Sequence, residues 1–175
     1  MEEWERLRRC TIKEAKQVFS LIRQRMRWMD KKGFDSWNQN HYDEIFPLSY
    51  FEKEAMLGRL FALVSEKDEH IISAAVLLES DSRWNSEKPA IYVHNFVSDI
   101  ESAQAGQRFL EAVECYAKAR GKQYVRLDSA QNNSSLENYY TNLGFAAVGI
   151  CKEGAYQGVL RQKEIHCQNS ENGLE

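Results

Sequence analysis

The stretch Asn133-Ser134-Ser135-Leu136-Glu137-Asn138-Tyr139-Tyr140-Thr141-Asn142-Leu143-Gly144-Phe145 decides how the chain is read. Ser134-x-x-Glu137 has the form of a capping box, so a helix opens here. Leu136, Tyr139, Tyr140 and Leu143 recur at helical spacing and share one apolar face. Gly144 closes the helix, and Phe145 to Ile150 follows as a strand-length apolar run. Tyr124 to Asp128 precedes the helix, with Val125 and Leu127 on one face of a short strand. The local unit is therefore strand, helix, strand.

The same logic extends outward. Phe109, Leu110, Val113, Tyr116 and Ala117 form a helical stripe ended by Gly121. Ala90 to Val97 is a strong strand, preceded by a loop from about Asp81 to Pro89. Leu60 to Ser65 and Ile71 to Glu79 are two strands joined by the polar Glu66-Lys67-Asp68-Glu69, a hairpin. A short helix covers Leu48 to Gly58, and residues 34 to 51 are irregular and aromatic. Near the start, Thr11-x-x-Glu14 is another capping box. Ala15, Val18, Phe19, Ile22, Met26 and Met29 then run along one helix face to about Lys32, where Gly33 stops it. Ala155 to Arg161 is the last strand, and a polar tail covers 166–175. The pattern predicts one mixed α/β domain over 1–165, with strand-helix-strand-helix-strand in its second half.

Composition bounds the function. The 175 residues carry 23 Lys+Arg against 26 Asp+Glu, a formal net charge of -3. At 43% hydrophobic the chain is too apolar for a disordered one. Its longest apolar stretch, Ala74 to Leu78, is strand length, which argues against a membrane span and a membrane partner. The mildly acidic balance argues against a nucleic-acid partner. Met1-Glu2-Glu3-Trp4 has no apolar region of the secretory kind, so a cytoplasmic location is expected. Cys10, Cys115, Cys151 and Cys167 lack metal-ligand spacing, so free thiols and no metal site are expected. Charge is uneven: residues 1–40 hold ten basic against six acidic residues, and the remainder thirteen against twenty.

The segment from Ala90 to Gly149 resembles the acyl-CoA-binding half of the GNAT superfamily of N-acyltransferases. Ile91-Tyr92-Val93-His94-Asn95-Phe96-Val97 and Ala117 to Asp128 contribute. The most specific part is Asn133 followed by Tyr140-Thr141-Asn142-Leu143-Gly144-Phe145, an N-x6-Y-x3-G-F pattern. The first half resembles a bacterial subgroup of small-molecule acetyltransferase-like members with a Trp-rich segment after the first helix, here Trp28, Gly33 and Trp37. The resemblance implies an α/β fold with a mixed, mostly antiparallel sheet of six to seven strands flanked by about four helices. It implies transfer of an acetyl group from acetyl-CoA, as co-substrate, directly to a primary amine. The acceptor would be a small amine or a peptide N-terminus. Homodimers by last-strand pairing occur in such folds.

One piece departs from the pattern. The family's phosphate loop, Q/R-x-x-G-x-G/A, falls on Glu101-Ser102-Ala103-Gln104-Ala105-Gly106. The Q/R position holds Glu101 and the middle glycine position holds Gln104. A carboxylate at Glu101 would oppose a phosphate if it pointed inward, while Ala103, Ala105 and Gly106 still permit close approach. This departure keeps open a second reading, a GNAT-like domain that binds acyl-CoA weakly and serves as an interaction module.

Site residues follow, each beside a plainer role. Tyr140 matches the position of the acid that assists thiolate departure; it also lies on an apolar face and suits a core. Asn133 matches the position that contacts the pantetheine arm, or serves as a helix N-cap. His94 is a candidate base, since a free imidazole titrates near 6.5, or a structural histidine. By the period of two, Tyr92, His94 and Phe96 share a face. Asp99 and Glu101 are alternative bases. Phe96, Val97 and Ser98 would present backbone groups to the pantetheine and thioester. The amides of Gln104, Ala105, Gly106 and Gln107 would face the pyrophosphate. Trp28, Trp37 and Tyr42, with Phe34 and Trp84, are candidate walls of an acceptor pocket. Asp30, Asp35, Asp43 and Glu44 would attract a cationic amine.

Overall fold

The computed structural model describes residues 4–34, 37 and 40–166. Thr11 and Glu14 form the expected capping box: each side chain accepts from the other residue's amide. The box opens a single 3-10 turn (Ile12–Glu14) that runs into α1 (Ala15–Lys32), and Gly33 ends α1 in the left-handed conformation. Ala15, Val18 and Ile22 are the buried stripe. A four-residue helix, α2 (Tyr42–Ile45), precedes α3 (Leu48–Met56). The other two helices are α4 (Ala105–Ala119) and α5 (Ser134–Asn142).

Seven strands form one sheet: β1 (Glu5–Arg9), β2 (Leu60–Ser65), β3 (Ile71–Leu78), β4 (Ala90–Ser98), β5 (Tyr124–Ala130), β6 (Ala146–Glu153) and β7 (Tyr156–Glu164). Their spatial order is β1-β2-β3-β4-β5-β7-β6, and only β4 and β5 are parallel. β2 and β3 are buried on both faces, which is why they read as continuous apolar runs rather than alternating ones. One face packs on α4 and α5 through Phe61, Leu63, Ile91, Val93, Phe109 and Val113. The other packs on α1 and α3 through Val18, Ile22, Phe51, Ala62, Val64 and Val76.

β1 is not anticipated by the sequence pattern, because Glu5-Arg6-Leu7-Arg8-Arg9 carries one apolar side chain. Its backbone pairs with β2, and buried Glu5 accepts from Nε of Arg108 at 3.1 and 3.0 Å. A further correction concerns α5. Its cap is Asn133, whose side chain accepts from the Leu136 amide at 3.1 Å, and not Ser134.

The feature that shapes the site is where β4 leaves its neighbours. β4 and β5 pair over only three positions, Ala90–Tyr124, Ile91–Val125 and Tyr92–Arg126. Beyond Tyr92 the strands diverge, and His94, Asn95 and Phe96 are only half-buried in a strand otherwise closed at its start. On the β3 side, Ala74 pairs with Val97 and Val76 with His94, so β4 spends three residues on two of β3. Asn95 takes a φ of 53° within this bulge. The Tyr50 hydroxyl donates to its Oδ1 at 2.9 Å, and its Nδ2 donates to the Tyr42 oxygen at 2.7 Å. The bulge breaks the period of two. Phe96 therefore turns to the α4 face, stacked on Phe109 at 5.1 Å, and does not share the face of Tyr92 and His94.

Candidate active site

The divergence of β4 and β5 leaves a wedge, and polar groups gather on its α1 side. The loop after β3 folds back on Asp81: its Oδ1 accepts from the Arg83 amide at 2.9 Å, and the Trp84 amide donates to the Asp81 carbonyl. This turn projects Arg83 across the wedge. One nitrogen, Nη2, donates at 2.8 Å to Asp81 Oδ2 and at 2.8 Å to Asp128 Oδ1 of β5. His94 Nε2 lies 2.8 Å from the same Asp81 oxygen. A carboxylate only accepts, so Nε2 carries a proton, and in the neutral ring the lone pair is on Nδ1. The 3.3 Å approach of Arg83 Nη2 to His94 Nε2 is then two donors converging on one oxygen. Tyr156 of β7 donates to Asp128 Oδ2 at 2.6 Å.

Electrostatics follow from this packing. Burial pushes the Asp81 carboxyl up, but the Arg83 side chain, its amide and the charges of Arg83 and His94 outweigh it, and Asp81 titrates below its usual range. Tyr140 is 8% exposed, and burial, with Tyr139 and Asp128 adding, pushes its phenol well above 10. Its ring meets Tyr139 and Phe145 edge-on at 5.1 and 5.9 Å, and Arg161 lies over it at 5.9 Å. Asp128 thus lies within electrostatic range of Tyr140 while bound through Arg83 and Asp81 to His94. His94 lies at the wedge, and Tyr140 packs in the core on the α4–α5 face of the sheet.

The loop from β4 to α4 has a left-handed residue where the family pattern has its middle glycine. Gln104, at the middle glycine position, adopts φ 55° and ψ 21°, the conformation a glycine would supply. Holding a non-glycine there costs on the order of 1 kcal/mol. Gln104→Gly should therefore raise the stability by about 0.5–1 kcal/mol, where glycine elsewhere lowers it. A lower urea midpoint would mean that the Gln104 side chain contributes more than its backbone conformation costs. Gly106 is required by space: a β-carbon there would lie 2.5 Å from the Tyr139 hydroxyl and 3.3 Å from Ser98 Oγ. Glu101 is exposed.

Of the four amides expected to face a pyrophosphate, that of Ala105 is turned to the Ser102 carbonyl at 3.4 Å. Gly106 and Gln107, in the first turn of α4, have no acceptor within the helix. Asp99 is not a free base, because it lies 2.8 Å from His70 Nε2 and accepts from the Glu101 amide. Asn133 is positioned by its cap bond, with its Nδ2 left for other use. Val97 and Ser98 are paired to Ala74 and Ser73 on the β3 side.

The aromatic residues do not form one wall. Trp37 stacks on Tyr42 at 4.4 Å, and the row continues through Phe46 and Tyr50. Trp28 instead stacks on Phe34 at 5.6 Å. Trp84 sits over Arg126 at 4.8 Å, at the closed end of β4. Asp43 is half-buried and Glu44 and Asp30 are exposed, while Asp35 lies outside the described residues. Among the described residues no group of three or more His, Cys, Asp or Glu could hold a metal. Cys10, Cys115 and Cys151 are free thiols, and Cys167 lies outside the described residues. Among the described residues no helix is long and apolar enough to cross a membrane.

Asp81, Arg83, Asp128 and Tyr156 were not singled out by the sequence. A signal existed: Arg126 and Asp128 alternate with Val125 and Leu127 on a central strand, which places charge on a face normally apolar.

No family model matches the chain. It is 25% identical over 170 residues to YesJ, an uncharacterized N-acetyltransferase of Bacillus subtilis, covering 89% of this chain and 88% of YesJ. A GNAT-family acetyltransferase of Streptococcus agalactiae superposes with a TM-score of 0.74 at 14% identity, over 93% of this chain and 96% of that one. One from Listeria monocytogenes gives 0.72 at 19%, over 91% and 94%. The PaiA N-acetyltransferase of Thermoplasma acidophilum, solved in complex with coenzyme A, gives 0.66 at 16%, over 94% and 99%. The seven-stranded sheet, with only β4 and β5 parallel, gives this chain the fold of the GNAT-family acetyltransferases.

Proposed function

We propose that the protein is an acetyl-CoA-dependent N-acetyltransferase that moves the acetyl group directly to a primary amine. The observation that carries this reading is the wedge itself. It leaves the β5 side of β4 unpaired beyond Tyr92, next to a carboxylate-held imidazole on β4, and we take the buried phenol on α5 as its acid. The residues present fit the co-substrate. The unpaired backbone of β4 suits a pantetheine arm, and the α4 N-terminus beside Gly106 suits a pyrophosphate. Similarity to YesJ and the coenzyme A complex of PaiA support the same reading.

Acetyl-CoA, when bound, supplies an activated acyl thioester. The chain's own groups then divide the proton work. His94 Nδ1 is the basic nitrogen that takes the proton an attacking amine must shed. Asp81 positions it by fixing the proton on Nε2. Tyr140, protonated across the physiological range, holds the proton available to a departing thiolate. Trp37 and Tyr42 wall the acceptor side, and Asp81 and Asp128 offset their charge through Arg83 rather than leaving it free for a cation.

The test is a calorimetric titration with acetyl-CoA, followed by a thiol-release assay against a panel of amines. Binding with amine-dependent thiol release is expected. No heat at millimolar acetyl-CoA would end the enzyme reading and favour the interaction module that the altered loop suggests.

A further inference from the structure

Three nitrogen-bearing side chains, His70, Arg108 and Arg25, stand around the β4–α4 loop among the described residues. His70 is 2.8 Å from Asp99. Arg108 holds both oxygens of Glu5 through Nε and donates Nη1 to the Ala103 carbonyl. Each of these is matched by a carboxylate. Arg25 differs. It comes from α1, on the other layer of the fold, and its Nη2 donates to the carbonyl of Ser98 at 3.1 Å. Its guanidinium lies 5.0 Å over the Trp28 ring. Asp99 and the Tyr139 phenol favour its charge, but desolvation outweighs both.

Ser98 is the last residue of β4, and its hydroxyl reaches the Gly106 position at the start of α4. The Tyr139 hydroxyl closes on that position from α5. Arg25 therefore stands at the junction of β4, α4 and α5. This is a half-buried cation bound to a backbone carbonyl, with donors to spare in a fork suited to phosphate oxygens. It stands beside a loop whose own Q/R and glycine positions are Glu101 and Gln104, and whose Ala105 amide is already bonded.

We propose that Arg25 binds the pyrophosphate of the acyl-CoA, supplying from α1 the positive charge that the β4–α4 loop lacks. The proposal rests on the acyl-CoA reading of the site. It makes the basic first helix part of the co-substrate site rather than a solvated face.

The phosphates are the charged groups of acetyl-CoA, so the contact is read from salt. Acetyl-CoA binding is measured by calorimetry at 50 and 500 mM KCl for the wild type, Arg25→Gln and Arg25→Lys. Glutamine keeps a donor for the Ser98 carbonyl and lysine keeps the charge; thermal melts of both check the fold. Arg25→Gln should weaken binding tenfold or more at 50 mM, with the gap narrowing to under threefold at 500 mM. Arg25→Lys should stay within threefold. The same loss should appear with 3′-dephospho-CoA, which retains the pyrophosphate. An unchanged affinity in Arg25→Gln, or a loss independent of salt, overturns the proposal. So does a loss that vanishes with 3′-dephospho-CoA. A wild type that binds no acetyl-CoA at either salt instead removes the acyl-CoA reading, and the proposal with it.

Discussion

Tyr140→Phe should lower kcat for acetyl transfer by about 10²–10⁴-fold, the usual range for losing a positioned general acid. The substitution isolates one atom. The Tyr140 ring is part of the core on the α4–α5 face and meets Tyr139 and Phe145 edge-on, and phenylalanine keeps those contacts. Stability should change by no more than about 1–2 kcal/mol. Acetyl-CoA affinity should stay within a few-fold, because the substitution removes one hydroxyl and leaves the β4–α4 loop proposed for the phosphates unchanged. The direction of the phenol's shift matters. Burial raises it, so the hydroxyl stays protonated as pH rises through neutrality, which suits a donor rather than a base. Thiol release and calorimetry on the same preparation separate the outcomes. Turnover unchanged in Tyr140→Phe would return Tyr140 to a purely structural role. A loss of acetyl-CoA affinity equal to the loss of rate would place it in binding.

How much of this could be read from the chain depends on the range of the forces involved. Capping at Thr11, the Gly33 stop and the β2–β3 hairpin are decided within a few residues, and the structure has all three. Ser134 competed with Asn133 for the same cap, and the choice lies in backbone conformation: Asn133 is extended, as a cap must be. The strand β1 was missed because its pairing partner is some sixty residues away and its composition, Glu-Arg-Leu-Arg-Arg, hides it. The motif draws attention to Tyr140 and Asn133, and the structure places the first in the core on the α4–α5 face and the second at the cap of α5. The partners of His94 were not. Asp81 and Arg83 sit in a loop that reads as polar filler, and only the turn around Asp81 aims Arg83 at Asp128. The shared face of His94 and Phe96 failed for a third reason: a one-residue bulge at Asn95 reverses every later side chain. The bulge is held by Tyr42 and Tyr50, from the irregular aromatic segment and the helix that follows it.

Arg83→Met should cost about 3–5 kcal/mol at pH 7, the range for removing one partner of a buried ion pair. Its nitrogen bridges two carboxylates that are 6% and 15% exposed, so neither can turn to water for compensation. Methionine keeps most of the volume, which makes the loss electrostatic. The pH dependence gives its signature. In the wild type Asp81 is held below its usual range, so its contribution is full above the unfolded value of about 3.9 and is lost as pH falls through the folded value. In the variant that hold is weaker, because the guanidinium and its charge are gone and only the residue-83 amide and His94 still oppose burial. The stability that ionised Asp81 contributes is then smaller, and wild type and variant converge as the carboxyl protonates toward low pH. The gap between wild type and Arg83→Met in urea denaturation should therefore be widest near pH 7 and shrink by pH 4. Adding Asp81→Asn and Asp128→Asn to Arg83→Met should recover a large part of the loss, because the charges leave together. A gap that is flat with pH would mean that packing, not the bridge, is what Arg83 supplies. The bridge also has a structural place: backbone pairing between β4 and β5 stops at Tyr92, and beyond it Arg83 on Asp128, with Asp81 on His94, links the two strands through side chains.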